Sequence, residues 1–159
     1  MAKSAENIQH ERSDRWTIVR RYLAFLFLAN LLWEFAHMPL YAAWKEGGWA
    51  DIAYNGFHCT VGDLMIGASA LFLGVHVAGG LVWPNNNRTR LAIVTILFGL
   101  CYTVFSKWVN VYVRDSWSYS ELMPLLPGIG IGFSPIAQWL VLPVLGFSIA
   151  YRSNYVTEN

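Results

Sequence analysis

Four long apolar stretches separated by polar breaks organise the chain. They run over 22–41, 59–82, 91–113 and 128–151. A helix rises about 1.5 Å per residue, so each stretch is long enough to cross a hydrocarbon layer of about 30 Å. Backbone amides in lipid must bond within their own segment, which predicts helices. The short alternating segments of a transmembrane barrel are absent. The pattern therefore predicts an all-α protein, an integral membrane four-helix bundle forming one membrane domain over 1–159. Tails are expected over 1–17 and 152–159. The first stretch follows about twenty polar residues of mixed sign, and no small-residue cleavage site comes after it. It reads as a retained span and not as a signal peptide. Pro84 to Asn87 marks a turn between the second and third spans. There is no internal repeat.

Composition agrees with the pattern. Of 159 residues, 55% are hydrophobic, 16% aromatic and 13% charged, against about 25% charged in a typical soluble domain. So few charges cannot cover the surface of a soluble globule. A disordered chain and a basic nucleic-acid binder are excluded, and no nucleic-acid partner is expected. The formal net charge of +1 names no partner.

The placement of basic residues sets an orientation. Lys3, Arg12, Arg15, Arg20, Arg21, Arg88, Arg90 and Arg152 fall on one side, eight in all, and Lys45 and Arg114 on the other. This predicts both termini in the cytoplasm, in a bacterial inner membrane. Trp16, Trp44, Trp49, Trp83, Trp108 and Trp117 fall near the predicted interfaces as an aromatic belt. Cys59 and Cys101 form no CxxC and no zinc spacing, and their different depths argue against a disulfide.

Within that frame the polar residues of the spans gather in one layer. Asn30, Glu34, His37 and Tyr41 recur at i, i+4, i+7 and i+11, one stripe of a helix. His58 and Asp63 lie at the outer end of the second span, and Lys107 and Asn110 at the outer end of the third. Gln138 lies in the outer half of the fourth, and Glu121 in the outer loop before it. A charge facing lipid costs at least about 2.5–3.5 kcal/mol, so Glu34, Asp63 and Lys107 should face the bundle interior. Asp63, Gly67, Ala70, Gly74 and Ala78 share one small-residue face, which suits close helix packing. Gly128 to Gly132 should be unwound, with Ser134 as helix N-cap and Pro135 at the first helical position. Pro143 should kink the same helix.

Several chemistries fit this layer. The plainest is a structural ion pair of Glu34 or Asp63 with Lys107. A metal reading rests on Glu34-Phe-Ala-His37, an i, i+3 pair as in di-iron bundles, with His58 and Asp63 completing a divalent-metal site. Haem on His37, His58 or His76 is a weaker variant. The cofactor is otherwise unassigned. An acid–base reading needs none: a sequestered carboxylic acid can hold a proton that a neighbour accepts. Glu34, His37, His58, Asp63 and Lys107 are then the catalytic candidates. Asn30, Tyr41, Asn110, Glu121, Gln138, Trp33 and Trp108 are substrate-binding candidates, and Trp139 could add an aromatic wall. The substrate would be a lipid-soluble small molecule. The other classes are a small transporter component, or a non-catalytic subunit or assembly factor docking other membrane subunits. For the last, His76, Ser69, Gly62 and Cys59 offer a second polar face on the second span.

Overall fold

A computed structural model describes residues 2–79 and 87–152, and their side chains over 14–77 and 87–152. Val82, Trp83 and the Pro84–Asn86 part of the expected turn lie outside the described residues, as do the side chains of Lys3, Arg12 and Ala78. The described chain is all-α. Helix α1 spans Ala2–His37 and ends in a 3₁₀ turn over Met38–Leu40, with Pro39 at its start. A single turn, α2, covers Ala43–Glu46. Helix α3 covers Trp49–Gly74 and runs on as a π-turn over Val75–Gly79. Helix α4 covers Arg88–Trp108 and likewise runs on through Val109–Val113. Helix α5 covers Phe133–Arg152.

Four segments, Asp14–Leu40, Trp49–Val77, Arg88–Val113 and Phe133–Arg152, are long and apolar enough to cross a membrane. The protein is a multi-pass membrane four-helix bundle. Two helix starts differ from the sequence pattern. Helix α3 begins at Trp49, well before Cys59, because the Gly48 amide donates to Asp51 Oδ2 at 3.0 Å and fixes the first turn there. Helix α5 begins at Phe133, so Ser134 lies in its first turn and is not the expected N-cap. The glycine segment before it is non-helical as expected, with Gly128 and Gly130 at positive φ of 82° and 70°. At Gly130 a side chain would also collide with the Tyr112 hydroxyl.

Neighbouring contacts run α1–α3, α3–α4, α4–α5 and α5–α1, a closed ring of four helices. Helices α1 and α5 are antiparallel neighbours, so the N-terminal half of one faces the C-terminal half of the other. The end nearer the chain termini is apolar, with Ile18, Tyr22 and Leu26 against Leu71, Leu91, Leu142 and Phe147. Tyr22 stacks on Phe147 at 4.4 Å between centroids, and Gly146 lets the two helices close up beside them. The opposite end holds the buried Asn30, Glu34, His37, Asp63, Lys107 and Gln138. Outward positions such as Leu28, Leu32, Met65 and Phe105 are exposed, as lipid-facing side chains should be.

A lid of loop closes the polar end. The Ala42 amide donates to Ser118 O at 3.1 Å, and the Ser120 amide to Leu40 O at 2.9 Å. Further along, the Phe133 amide donates to Pro124 O at 2.8 Å and the Leu126 amide to Ile131 O at 2.8 Å. These bonds satisfy backbone groups of a non-helical segment. Met123 and Ile131 anchor it from beneath.

Small residues decide how near the helices come. A Cβ at Gly99 on α4 would overlap the Trp139 ring of α5. A Cβ at Gly62 on α3 would meet nothing within 4 Å. We therefore expect Gly99→Ala to cost about 1–3 kcal/mol through overpacking and Gly62→Ala to be near neutral. Thermal midpoints of the two purified variants in detergent test this, and equal midpoints would contradict the packing account.

Candidate functional site

The stripe on α1 turns inward as its spacing requires. Asn30, Glu34 and His37 are 2%, 2% and 5% exposed. Asp63 on α3, Lys107 on α4 and Gln138 on α5 are also buried, so all four long helices contribute to one polar layer. Its centre is the Gln138 carboxamide. Gln138 Nε2 donates to Asn30 Oδ1 at 2.8 Å, to Asp63 Oδ2 at 3.0 Å and to Glu34 Oε1 at 3.1 Å. An amide nitrogen carries two protons, so three acceptors share two donors. The two carboxyl groups can be no farther apart than those two bonds laid end to end.

A second line of hydrogen bonds leads away from Glu34. His37 Nε2 lies 3.0 Å from Glu34 Oε2, and His37 Nδ1 lies 2.9 Å from Ser134 Oγ. Trp33 Nε1 donates to Ser134 Oγ at 3.2 Å. With Glu34 ionised, one polarity satisfies every member, which assigns the tautomer. Trp33 donates to Ser134, Ser134 to His37 Nδ1, and His37 Nε2–H to Glu34. Ser134 is thus a member of the site as well as a residue of the first turn of α5, a role its Ser-Pro context did not signal.

Lys107 does not form the expected ion pair. Among the described residues no carboxylate oxygen lies within 4.0 Å of its ammonium. The ammonium sits instead 5.2 Å from the Trp117 ring centroid and 5.7 Å from that of Tyr41, distances suited to cation–π attraction. Tyr41 is buried, packs edge-on to His37 at 5.3 Å, and its hydroxyl has no partner among the described residues.

Two cavities meet at Lys107. One, of about 210 Å³, lies under the lid and is lined by Glu34, Tyr41, Glu46, His58, Lys107 and Trp117 among others. The second, of about 220 Å³, opens between α3 and α4 and is lined by Asp63, Thr103, Lys107, Asn110 and Arg114 among others. Glu34 reaches the first and Asp63 the second.

Other candidates lie outside the bonded centre. His58 is exposed, stacks on Tyr54 at 5.6 Å, and stands at the rim of both cavities. Asn110 donates back to Ser106 O of its own helix at 2.8 Å, although it lines the second cavity. Glu121 is exposed on the lid, and Trp108 is 46% exposed beside a separate surface hollow. Glu121 and Trp108 are turned outward, whereas His58 and Asn110 line cavity walls without bonding to the central network. Trp139 is buried as a packing residue over Gly99. His76 is exposed, packed on Phe72 and bonded to its carbonyl at 2.8 Å. Cys59 and Cys101 are free thiols. Among the described residues no three His, Cys, Asp or Glu side chains gather as a metal-binding group. Glu34, His37, His58 and Asp63 do not converge as the metal reading required.

No protein-family model, curated protein or solved structure shows significant similarity to this chain. Fold and site together define the class: a multi-pass membrane protein with a buried network of ionisable and amide side chains.

The Gln138 contact is open to energetic test. A double-mutant cycle of Asn30→Ala and Gln138→Ala, followed by detergent-induced unfolding, should give a coupling energy of about 0.5–3 kcal/mol. Strictly additive losses would mean that the hydrogen bond does not hold the layer together.

Proposed function

We propose that the protein is a membrane enzyme that moves a proton to or from a lipid-soluble small molecule. The observation that carries this reading is the continuous path Ser134–His37–Glu34–Gln138–Asp63, of which Glu34 reaches one cavity and Asp63 the other. A structural ion pair needs only two residues and no cavity. In this site Glu34, held by His37 on one oxygen and Gln138 on the other, is the proton acceptor on the first cavity. Asp63, reaching the second, is the donor. The Gln138 amide keeps the two carboxyl groups at a fixed separation while protons are exchanged. Lys107, with no carboxylate partner, is free to hold an oxygen of the substrate. Tyr41 and Trp117 limit water around it.

The alignment of Ser134 Oγ, His37 and Glu34 at 2.9 and 3.0 Å supports a second reading. A hydroxyl, an imidazole and a carboxylate in that order make a nucleophilic serine. Serine would attack an ester carbonyl, His37 would take its proton and pass it to the departing alkoxide, and water would later release the acyl group.

One experiment separates the two. Washed membranes containing the protein are incubated in heavy water with a total lipid extract, and the lipids are analysed by mass spectrometry. Proton transfer predicts a lipid that gains deuterium at carbon. Glu34→Gln should lower that gain by about 10²–10⁴-fold without unfolding the bundle, and Ser134→Ala should only weaken it. A lipid cleaved without deuterium at carbon, and spared in Ser134→Ala, would replace proton transfer by acyl transfer. A lipid pool identical with and without protein would overturn both.

We further propose that both termini face the cytoplasm and that the site lies in the outer half of a bacterial inner membrane. Four spans return the chain to its starting side, and the eight-to-two bias of basic residues favours the cytoplasm for that side. In a variant lacking Cys59 and Cys101, a cysteine at Glu121 should react with an impermeant maleimide in intact cells. One at Asn86 should react only after lysis. The reverse pattern would invert the topology.

A further inference from the structure

The second cavity continues into the membrane. Below it a groove of about 610 Å³ runs between α3 and α4, lined by Met65, Leu73, Phe98, Cys101 and Tyr102 among others. The two spaces share Gly62, Ile66 and Ser106 as lining residues, so they adjoin along the α3–α4 seam and are taken together as one passage. Gly62 stands at the junction with nothing within 4 Å of where its Cβ would be. A larger side chain there would narrow the opening without disturbing its own surroundings.

The passage is polar at one end only. Its outer end offers the buried Lys107 ammonium, the exposed Arg114 guanidinium and the Thr103 hydroxyl, which is buried without a partner among the described residues, beside the Asp63 carboxyl group that the acid–base reading takes as the proton donor. No ion pair joins Lys107 or Arg114 to another described residue. The inner end is apolar. Between Phe98 and Lys107 the groove follows α4 for about 13 Å at 1.5 Å per residue. The volume of the groove falls within the range of about 300–1,000 Å³ for small-molecule sites, whereas the head cavity lies below it. The shape suits one chain with a small head, lying in the sense of a lipid in one leaflet.

We propose that this passage binds a long-chain carboxylate, its chain in the α3–α4 groove and its carboxylate at Lys107 and Arg114, entering sideways from the bilayer past Gly62. This names the substrate class of the reading above and rests on it for catalysis, but binding can be measured without turnover. Two positive donors with no carboxylate within 4.0 Å among the described residues favour an anionic head over a neutral one. The small head cavity favours a single-chain acid over a glycerophospholipid.

The test is photo-crosslinking of the purified protein in phosphatidylcholine nanodiscs with a palmitate analogue carrying a chain-terminal diazirine. Label should concentrate on Leu73 and Phe98, at the far end of the groove. Unlabelled palmitate should compete, and hexadecanol should compete at least tenfold less well. Gly62→Leu should lower labelling at least tenfold while Gly62→Ala retains it, with thermal midpoints confirming that both variants fold. Glu34→Gln, which the acid–base reading expects to be inactive, should still be labelled. Label spread over every lipid-facing helix, equal competition by hexadecanol, or undiminished labelling of a folded Gly62→Leu variant would overturn the proposal. If selective labelling is found and no lipid gains deuterium, the binding site stands and the acid–base reading falls. The opposite pair of results removes the groove and leaves the acid–base site.

Discussion

A carboxamide at the centre of the bundle holds the polar end together. Gln138 of α5 donates to Asn30 and Glu34 of α1 and to Asp63 of α3. The next residue, Trp139, lays its ring against the space left by Gly99 of α4 and approaches Gly67 of α3. Two consecutive residues of one helix thus reach all three of the others. In a hydrocarbon environment this matters more than in water. Lipid tails are as apolar as leucine, so helices gain little from hiding leucine, and association rests on close packing and on hydrogen bonds that have no solvent alternative.

The consequence is a bundle of two unlike halves. The end holding Tyr22, Leu26, Leu142 and Phe147 is packed from apolar side chains. The other end concentrates Glu34, Asp63 and Lys107 beneath a lid whose backbone bonds close on Leu40 and Ala42. Within the polar end, some residues bond only inside the network and others line open space. Gln138, Asn30 and Trp33 satisfy and orient, whereas Glu34, Asp63 and Lys107 reach cavities. The second of these cavities opens at the seam between α3 and α4, where nothing lies within 4 Å of a Cβ at Gly62.

Much of the site was legible before any coordinates. The period of Asn30, Glu34 and His37 placed three polar side chains on one face, and the cost of exposing Glu34 to lipid fixed that face as the inner one. Asp63 followed from the small residues that share its side of α3. Gln138 could be placed at the right depth, but nothing in its neighbours marked it as the hub, because hydrogen-bond partners on other helices leave no periodic trace. Ser134 was obscured by a sufficient local explanation. A serine before proline already reads as a helix cap, yet its hydroxyl bonds His37. Trp108 shares the depth of the site but not its direction, and His58 and Asn110 line its cavities without joining the bonded centre; depth is all that span counting supplies.

The sequence by itself determined that four helices cross a membrane and that the charges they carry lie in a single layer. Both conclusions follow from the cost of polar groups in lipid, which acts on each segment alone. Only the tertiary structure decided which members of the layer touch. It joined Gln138 to three acceptors, left Lys107 between two aromatic rings without a carboxylate, and kept a metal-binding cluster from forming among the described residues. The reason is geometric: those outcomes depend on how far each helix is turned and how near it stands to its neighbour. Gly67, Gly99 and the ring of Trp139 set that approach jointly, and no one segment encodes it.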